Sequence, residues 1–235
     1  MKKVTLGIDF GSLSARAVLA CVEDGQILAQ HETAYPHGVM TEVLPDGTKL
    51  GEGFFLQHPA DYVYALEKSV RGVMEKAQIG KDGVIAMAID FTGCTALPLG
   101  RDGKPLCEKF PSHPYAYVNM WKQRNTQREA GEIEALVREK EPELLQGFGG
   151  HVAPEMMHCK LLKTSQEDPE VFAQTDLYME ASDYMLLLLT GEPEFADLFE
   201  QALYNAYLGA VNFNGNLNTV TLARYPDAVI RALPF

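Results

Sequence analysis

The sequence has little cysteine and no long hydrophobic run, and each shortage excludes a class of protein. Its four cysteines show no CxxC spacing, which argues against a zinc site or a disulfide framework and predicts buried thiols in a reducing compartment. The longest apolar run, residues 184–189, is far too short to span a bilayer. A strand pattern follows directly after Met-Lys-Lys, so no signal peptide is expected. These features predict a cytoplasmic protein.

Basic residues are also scarce. The chain of 235 residues has 20 Lys and Arg against 32 Asp and Glu, a formal net charge of −12. A nucleic-acid backbone as the main partner would require a basic stripe, which this composition argues against. A single nucleotide stays compatible, because its phosphates need only local donors and a metal ion. The hydrophobic content of 46% is typical of a soluble globular protein with one large or two small domains.

The stretch GIDFGSLSAR at residues 7–16 has the pattern of a strand, a small-residue turn and a second strand. We expect Gly11 to direct backbone N–H groups outward and to leave room for a ligand. Ser12 and Ser14 add hydroxyl donors, and Asp9 could hold a hydrated divalent cation. Such a turn is suited to nucleotide phosphates. An ordinary hairpin with an aspartate in its turn is the alternative.

The hydrophobic periodicity after this turn predicts the fold class. A third strand is expected at residues 27–35, a helix at 59–77 and a central strand buried on both faces at 84–91. A helix between two strands implies a parallel pairing. Three meandering strands, then parallel strands with flanking helices, predict an α/β domain with a mixed sheet. This is the ribonuclease-H-like order shared by actin-like ATPases.

The tripeptide Ile-Asp-Phe occurs twice, at residues 8–10 and 89–91, each time at the end of a predicted strand and before small residues. If the two strands are parallel neighbours, Asp9 and Asp90 lie together at the carboxyl edge of the sheet, where open α/β sheets bind ligands. A shared site explains two such carboxylates better than chance or helix capping does.

Later segments give weaker signals. The only tryptophan, Trp121, precedes Lys122 among polar residues, where an indole could stack on a sugar or simply belong to the core. Helices are expected to about residue 140 and at 154–163, and a short strand at 176–179. We expect Ser182 to cap a helix over 183–189. His151 and His158 lack a third ligand at useful spacing and are poor metal candidates.

The chain resembles the amino-terminal domain of FGGY-family carbohydrate kinases, and among them most resembles the ribulokinases. The resemblance is collinear over about four-fifths of the chain. The motifs that carry it are GIDFGS (7–12) with Ser14 and Arg16, QHPADY (57–62), IDFTGCT (89–95), MWK (120–122), Gly149-Gly150 with Glu155, and EASDY (180–184) followed by LTG (189–191).

This resemblance implies transfer of the γ-phosphoryl group of ATP, with Mg²⁺, to a hydroxyl of L-ribulose or a related ketopentose. Asp9 would take part in metal binding. The implied phosphate contacts are Gly11, Ser12, Ser14 and Arg16. The implied sugar contacts are Asp90, Thr92, Gly93, Cys94, Trp121 and Lys122.

Two departures from the family pattern restrict these expectations. The family's catalytic-base aspartate and second domain have no counterpart in the sequence, so no catalytic residue is assigned, and the chain alone is expected to be inactive. The resemblance fades after Gly191. We therefore divide the chain into a kinase-type domain at 1–191 and a tail at 192–235, with a helix at 195–208, a turn at 214–215 and a strand at 218–222.

Two other classes of function stay open from sequence. A non-catalytic protein could bind sugar weakly or form a homodimer through its exposed half-cleft. A metal-dependent nuclease of the same half-fold could use Asp9 and Asp90 for two Mg²⁺ ions, although the acidic charge argues against it.

Overall fold

The computed structural model describes residues 2–123, 125–147 and 149–191. Its strands are β1 (Val4–Phe10), β2 (Ser14–Cys21), β3 (Ile27–Ala34), β4 (Leu56–Gln57), β5 (Val84–Phe91), β6 (Ala96–Leu99), β7 (Val118–Asn119) and β8 (Leu177–Glu180). Its α-helices are α1 (Pro59–Ala77), α2 (Gln127–Lys140), α3 (Leu144–Gly147), α4 (Met157–Glu167), α5 (Pro169–Gln174) and α6 (Ala181–Thr190). No helix in these ranges is long and apolar enough to cross a membrane.

The first sheet has the strand order β3-β2-β1-β5. β1 pairs antiparallel with β2 and parallel with β5, and β2 pairs antiparallel with β3. The period of two along β1 buries Leu6, Ile8 and Phe10 on one face and leaves Thr5 and Asp9 exposed on the other. The predicted meander, crossover helix and parallel strand are confirmed.

Helix α1 has the predicted bounds because both of its ends carry strong local signals. Pro59 occupies the first turn, and the His58 side chain accepts a hydrogen bond from the Ala60 N–H. Gln78 ends the helix in the left-handed conformation. The apolar face of α1, which includes Leu66 and Val70, packs on β2 and β3.

Strand β5 differs from its prediction. Within the described residues it is an edge strand of the four-stranded sheet. Its residues alternate between two faces, and the exposed face carries Ala86, Ala88 and Asp90. Ile89 and Phe91 pack against the core from the other face. The prediction of burial on both faces was wrong because alanine counts as apolar in a sequence pattern and so hid the period of two. One parallel strand is described, where the prediction had several.

The second sheet has the order β4-β7-β6-β8, so it combines β4, which precedes α1, with three strands that follow β5. Helix α4 begins three residues later than predicted. Ser182 does not cap α6: the helix begins at Ala181 with Glu180 as its N-cap residue, and Ser182 lies in the first turn. The predicted end at Gly191 is confirmed, at a φ of 72°. The helix, turn and strand predicted after residue 192 lie outside the described residues.

We expect Gly72→Ala to lower the free energy of unfolding by about 1–3 kcal/mol, because of overpacking. A Cβ at Gly72 would lie 2.0 Å from His31 Nδ1, where α1 crosses β3. The matched control is Gly131→Ala on α2, where a Cβ would meet nothing within 4 Å. That change should instead stabilise by about 0.5–1 kcal/mol through helix propensity. Urea unfolding of both variants tests this, and a stabilised Gly72→Ala variant would contradict the packing shown here.

Candidate functional site

Asp9 and Asp90 face each other across the β1–β5 pair, in the same register position. Both side chains are exposed, and neither makes a hydrogen bond or ion pair within the described residues. One residue further, the rings of Phe10 and Phe91 stack at 4.3 Å with an angle of 10° between their planes. The repeated Ile-Asp-Phe tripeptide therefore has one explanation: apolar residues point to the core and the two carboxylates point outward. The predicted juxtaposition is confirmed.

Several polar groups in and beside the turn between β1 and β2 already have hydrogen-bond partners within the protein. The Gly11 N–H donates to the Ser14 carbonyl at 2.9 Å, so this N–H does not point outward as the sequence led us to expect. The Ser14 hydroxyl donates to Glu32 Oε1 at 2.6 Å, and Arg16 Nη2 lies 3.4 Å from Glu32 Oε2. These donors lower the pKa of the Glu32 carboxyl. Both side chains thus point toward β3.

The buried Gln57 side chain binds the backbone of the β1–β2 turn, a role that the sequence did not predict. Its Nε2 donates to the Ser12 carbonyl at 2.9 Å, and its Oε1 accepts from the Tyr62 hydroxyl at 2.7 Å. Both side chains are buried, so this relay connects helix α1 to the turn. Gln57 and Tyr62 are the first and last residues of the QHPADY motif, so the sequence did mark both of them. It gave no indication that Gln57 would bond to Ser12, which is 45 residues away, or to Tyr62 on the following helix.

The loop after β5 adopts an unusual backbone conformation at Cys94, which has a φ of 55° without being glycine. The Thr92 and Thr95 hydroxyls lie 3.0 Å apart. The Thr95 N–H donates to Glu180 Oε2 at 2.9 Å, and the Ala181 N–H donates to the Thr95 carbonyl at 2.7 Å. The N-terminus of α6 therefore fastens the loop, and Gly93, whose Cβ position is open, lies within it.

A buried lysine supports the same loop from the other side. Lys160 on α4 is 1% exposed, and its ammonium donates to the carbonyls of Cys94, of Asn119 at 3.2 Å and of Met120 at 2.8 Å. Burial lowers the pKa of Lys160 to about 8, with Glu180 acting in the opposite direction. The only signal in the sequence was a lysine on the buried face of a helix, a pattern that gives no hint of its partners.

Trp121 joins the loop to the turn. Its indole Nε1 donates to Ser12 Oγ at 3.3 Å, and its backbone N–H donates to Thr95 Oγ1 at 3.3 Å. The Lys122 ammonium lies 5.3 Å from the centre of the indole ring. The two side chains line one wall of an open cavity of about 590 Å³, with Glu52, Gly53, Phe55 and Asn125. Ser12, Thr95 and Trp121, which are distant in sequence, are thus brought together.

The electrostatics of the exposed sheet face bear on whether a nucleotide with Mg²⁺ fits. Glu32, Arg16, Asp9 and Asp90 form one row across four strands, with three carboxylates and one guanidinium. Phosphates approaching this row are repelled unless a cation binds with them. Asp9 and Asp90 supply the carboxylate oxygens that Mg²⁺ prefers. The Ser12 hydroxyl accepts from Trp121 and keeps its own hydrogen for a phosphate oxygen.

Comparison with known proteins agrees with this geometry. The FGGY family of carbohydrate kinases, N-terminal domain, matches residues 4–204. Ribulokinase from Shouchella clausii is 41% identical over 194 residues, which are 81% of this chain and 35% of that protein. Ribulokinase from Mycolicibacterium smegmatis is 36% identical over 193 residues, 80% of this chain and 34% of that protein. The chain spans about a third of the length of the curated relatives it matches.

Solved structures agree in fold. Xylulose kinase from Rhodospirillum rubrum superimposes with a TM-score of 0.63 at 19% identity, over 81% of this chain and 34% of that one. At this identity the likeness establishes the actin-like fold and nothing finer. The family match covers most of the chain and the relatives exceed 30% identity, so the chain belongs to the FGGY family of carbohydrate kinases, as a counterpart of their amino-terminal part.

Proposed function

We propose that this chain is the sugar-binding, amino-terminal domain of a ribulokinase-like kinase, which phosphorylates L-ribulose or a related ketopentose with ATP. The observation that carries the proposal is the contact between Trp121 and Ser12. It places an exposed indole face directly beside the turn that is suited to phosphates. A phosphoryl acceptor on one side and a donor on the other is the arrangement that transfer requires.

In this proposal the residues of the chain position and hold the reactants. Trp121 supplies an apolar face for the sugar ring, and Lys122 supplies a donor for its hydroxyls. We assign the inner wall of this proposed sugar site to the loop that contains Thr92, Gly93 and Cys94. Asp9, next to Asp90, would hold Mg²⁺, which when bound neutralises phosphate charge.

Phosphate contacts are the less complete half of the site. Ser12 retains a free hydroxyl hydrogen, whereas the Ser14 hydroxyl and the Gly11 N–H already have acceptors. Arg16 would have to leave Glu32 to reach a phosphate. We therefore propose that this chain by itself binds sugar and does not transfer phosphate at the rate of a complete kinase. ADP release with L-ribulose at such a rate would overturn this part.

The decisive experiment is ligand-observed NMR of the chain with L-ribulose, D-ribulose, D-xylulose and glycerol. We expect selective saturation transfer to L-ribulose, with a dissociation constant in the millimolar range. Trp121→Ala should weaken that binding at least about fivefold, since a stacking face is worth on the order of 1 kcal/mol or more.

The matched control is Tyr64→Ala. Tyr64 is an exposed aromatic residue whose ring also lies near a lysine ammonium, that of Lys68 at 5.8 Å, but on the outer side of α1. Sugar binding should be unchanged in this variant. Absence of any sugar signal in the wild-type chain, with and without MgATP, would contradict the proposed function.

The cytoplasmic location and the homodimer stay predictions, the first supported by free cysteines within the described residues.

A further inference from the structure

Away from the sheet edge, three metal-ligating side chains meet where the loop after β3 reaches the N-terminus of α1. They are His37, His58 and Asp61, and one ligand atom from each lies within 4.8 Å of the others. In the part of the chain that the structure describes, this is the one such group of three. Neither His151 nor His158, the histidines considered from sequence, belongs to it.

Asp61 is the inner ligand of this group. Its side chain is 2% exposed, whereas that of His37 is 39% exposed. His37 Nδ1 lies 2.7 Å from Asp61 Oδ1, and the His37 backbone N–H donates to Oδ2 at 3.0 Å. The carboxylate is therefore shielded and oriented, while the imidazole beside it opens to solvent and leaves a path for an ion.

His58 provides the second imidazole and is held in place on two sides. Its ring stacks on that of His37 with centroids 4.6 Å apart and 20° between the planes, and it packs edge-to-face with the Tyr117 ring at a centroid distance of 5.6 Å. Its Nδ1 accepts one hydrogen bond, from the Ala60 N–H at 3.2 Å.

A second histidine–aspartate pair in the chain shows what is special about the first. His113 Nδ1 lies 3.0 Å from Asp168 Oδ2, and Asp168 likewise stands at a helix N-terminus, that of α5. Within the described residues, the ring that contacts His113 is that of Phe110, and no second imidazole stacks on it. One histidine–aspartate pair is therefore sufficient to fasten a loop to a helix. At the first site His58, which also caps α1, adds a second imidazole and so a third metal-binding group.

We propose that His37, His58 and Asp61 bind one Zn²⁺ ion, separate from the Mg²⁺ expected at Asp9. Two imidazoles and one carboxylate, with water as the fourth ligand, form a common zinc donor set. In a tetrahedral site with bonds near 2.1 Å the ligand atoms lie about 3.4 Å apart. Side-chain rotation therefore has to shorten the widest separation, 4.8 Å at most, and to open the 2.7 Å between His37 Nδ1 and Asp61 Oδ1. The ion takes the place of the hydrogen bond between His37 and Asp61: His37 binds it as the neutral imidazole, through Nδ1 with the one ring proton on Nε2, and Asp61 binds it as the carboxylate, so no proton is left between them.

Mg²⁺ is a poor occupant of this site because it prefers oxygen ligands in an octahedron and gives up its water reluctantly. The proposal is independent of the sugar kinase assignment. Its test needs no sugar and no phosphoryl transfer, so the two can fail separately.

The test is calorimetric titration of the chain with ZnCl₂ in the presence of millimolar MgCl₂. We expect one Zn²⁺ ion per chain with micromolar affinity. His58→Asn should weaken binding at least tenfold, and it preserves the fold because asparagine is a good N-cap residue. The control is His113→Asn, which makes the same chemical change beside Asp168 and should bind Zn²⁺ as the wild type does.

Cobalt gives a second readout. Co²⁺ in place of Zn²⁺ should give the strong visible absorption of a four-coordinate site in the wild type and lose it in both His58→Asn and His37→Asn. Equal Zn²⁺ affinity in the wild type and His58→Asn would overturn the proposal, because all four cysteines are still present in that variant. So would the absence of saturable binding at micromolar Zn²⁺, or a His113→Asn variant that loses the ion.

Discussion

Tyr62→Ala is expected to lower the free energy of unfolding by about 3–5 kcal/mol, as the removal of a large buried ring does. Tyr62 is 1% exposed and lies among three other aromatic rings. Its ring meets those of Phe10, Tyr35 and Phe91 edge-on, with centroids 6.0, 5.6 and 5.4 Å away. The variant loses these contacts, leaves a cavity and removes the donor to Gln57. Urea denaturation measures the effect.

Two further variants separate the ring from the hydroxyl. Tyr62→Phe keeps the ring and leaves Gln57 Oε1 without its donor, for an expected loss of about 1–3 kcal/mol. Tyr64→Ala, at a residue 44% exposed on the same helix, should change stability by less than about 0.5 kcal/mol. If Tyr62→Ala were as mild as Tyr64→Ala, α1 would not pack on the sheet as described.

Lys160→Met is expected to lower the free energy of unfolding by about 1–3 kcal/mol at pH 7. The difference in unfolding free energy between the wild type and the variant should increase as the pH rises. Methionine fills a similar volume but leaves the Cys94, Asn119 and Met120 carbonyls without the ammonium donor. Two of these carbonyls border the proposed sugar site. We therefore also expect the variant to bind L-ribulose at least tenfold more weakly.

The pH dependence follows from the pKa of Lys160, which is about 8 in the folded chain against 10.5 as its ordinary value. Below pH 8 the lysine is protonated in both states, and the folded state bears the full cost of a buried charge. Between pH 8 and 10.5 the unfolded state holds more protons, so stability rises with pH. At ~1.4 kcal/mol for each pH unit between the two values, the gain is about 3 kcal/mol.

Comparison with the variant isolates this effect, because groups that do not interact with Lys160, such as the buried tyrosines, titrate in both proteins and cancel in the difference. Unfolding free energies at pH 7.5, 9 and 10.5 should show wild type minus Lys160→Met growing by about 3 kcal/mol. Lys68→Met, at an exposed lysine on α1, serves as the control. A gap that stays constant with pH, or one that grows equally in the control, would contradict a desolvated ammonium at Lys160.

Several parts of the site could be predicted because their signals are local. The bounds of α1 follow from Pro59 at its start and from the helical apolar period, which ends at Ala77. The pairing of Asp9 with Asp90 follows from two strands with the same alternation joined by one crossover helix. The family, too, was recognisable, because its motifs are short runs whose residue types can be compared in order.

Other parts depended on contacts between distant segments. The exposure of Ala86 and Ala88 on β5 was hidden because alanine is compatible with either face of a strand. Ser182 was a good cap by residue type, yet Glu180 became the N-cap residue of α6, with its carboxylate bonded to the Thr95 N–H 85 residues away. A local rule does not include such a competing partner.

The sequence by itself determined the order of strands and helices, the carboxylate edge and the family, since each depends on periodicity or on residues close together in the chain. Only the tertiary structure decided what surrounds the site: Gln57 under the turn, Lys160 among three carbonyls and Trp121 against Ser12. The same is true of the His37, His58 and Asp61 cluster. The physical reason is that buried polar groups must find partners, and folding, not sequence proximity, supplies them.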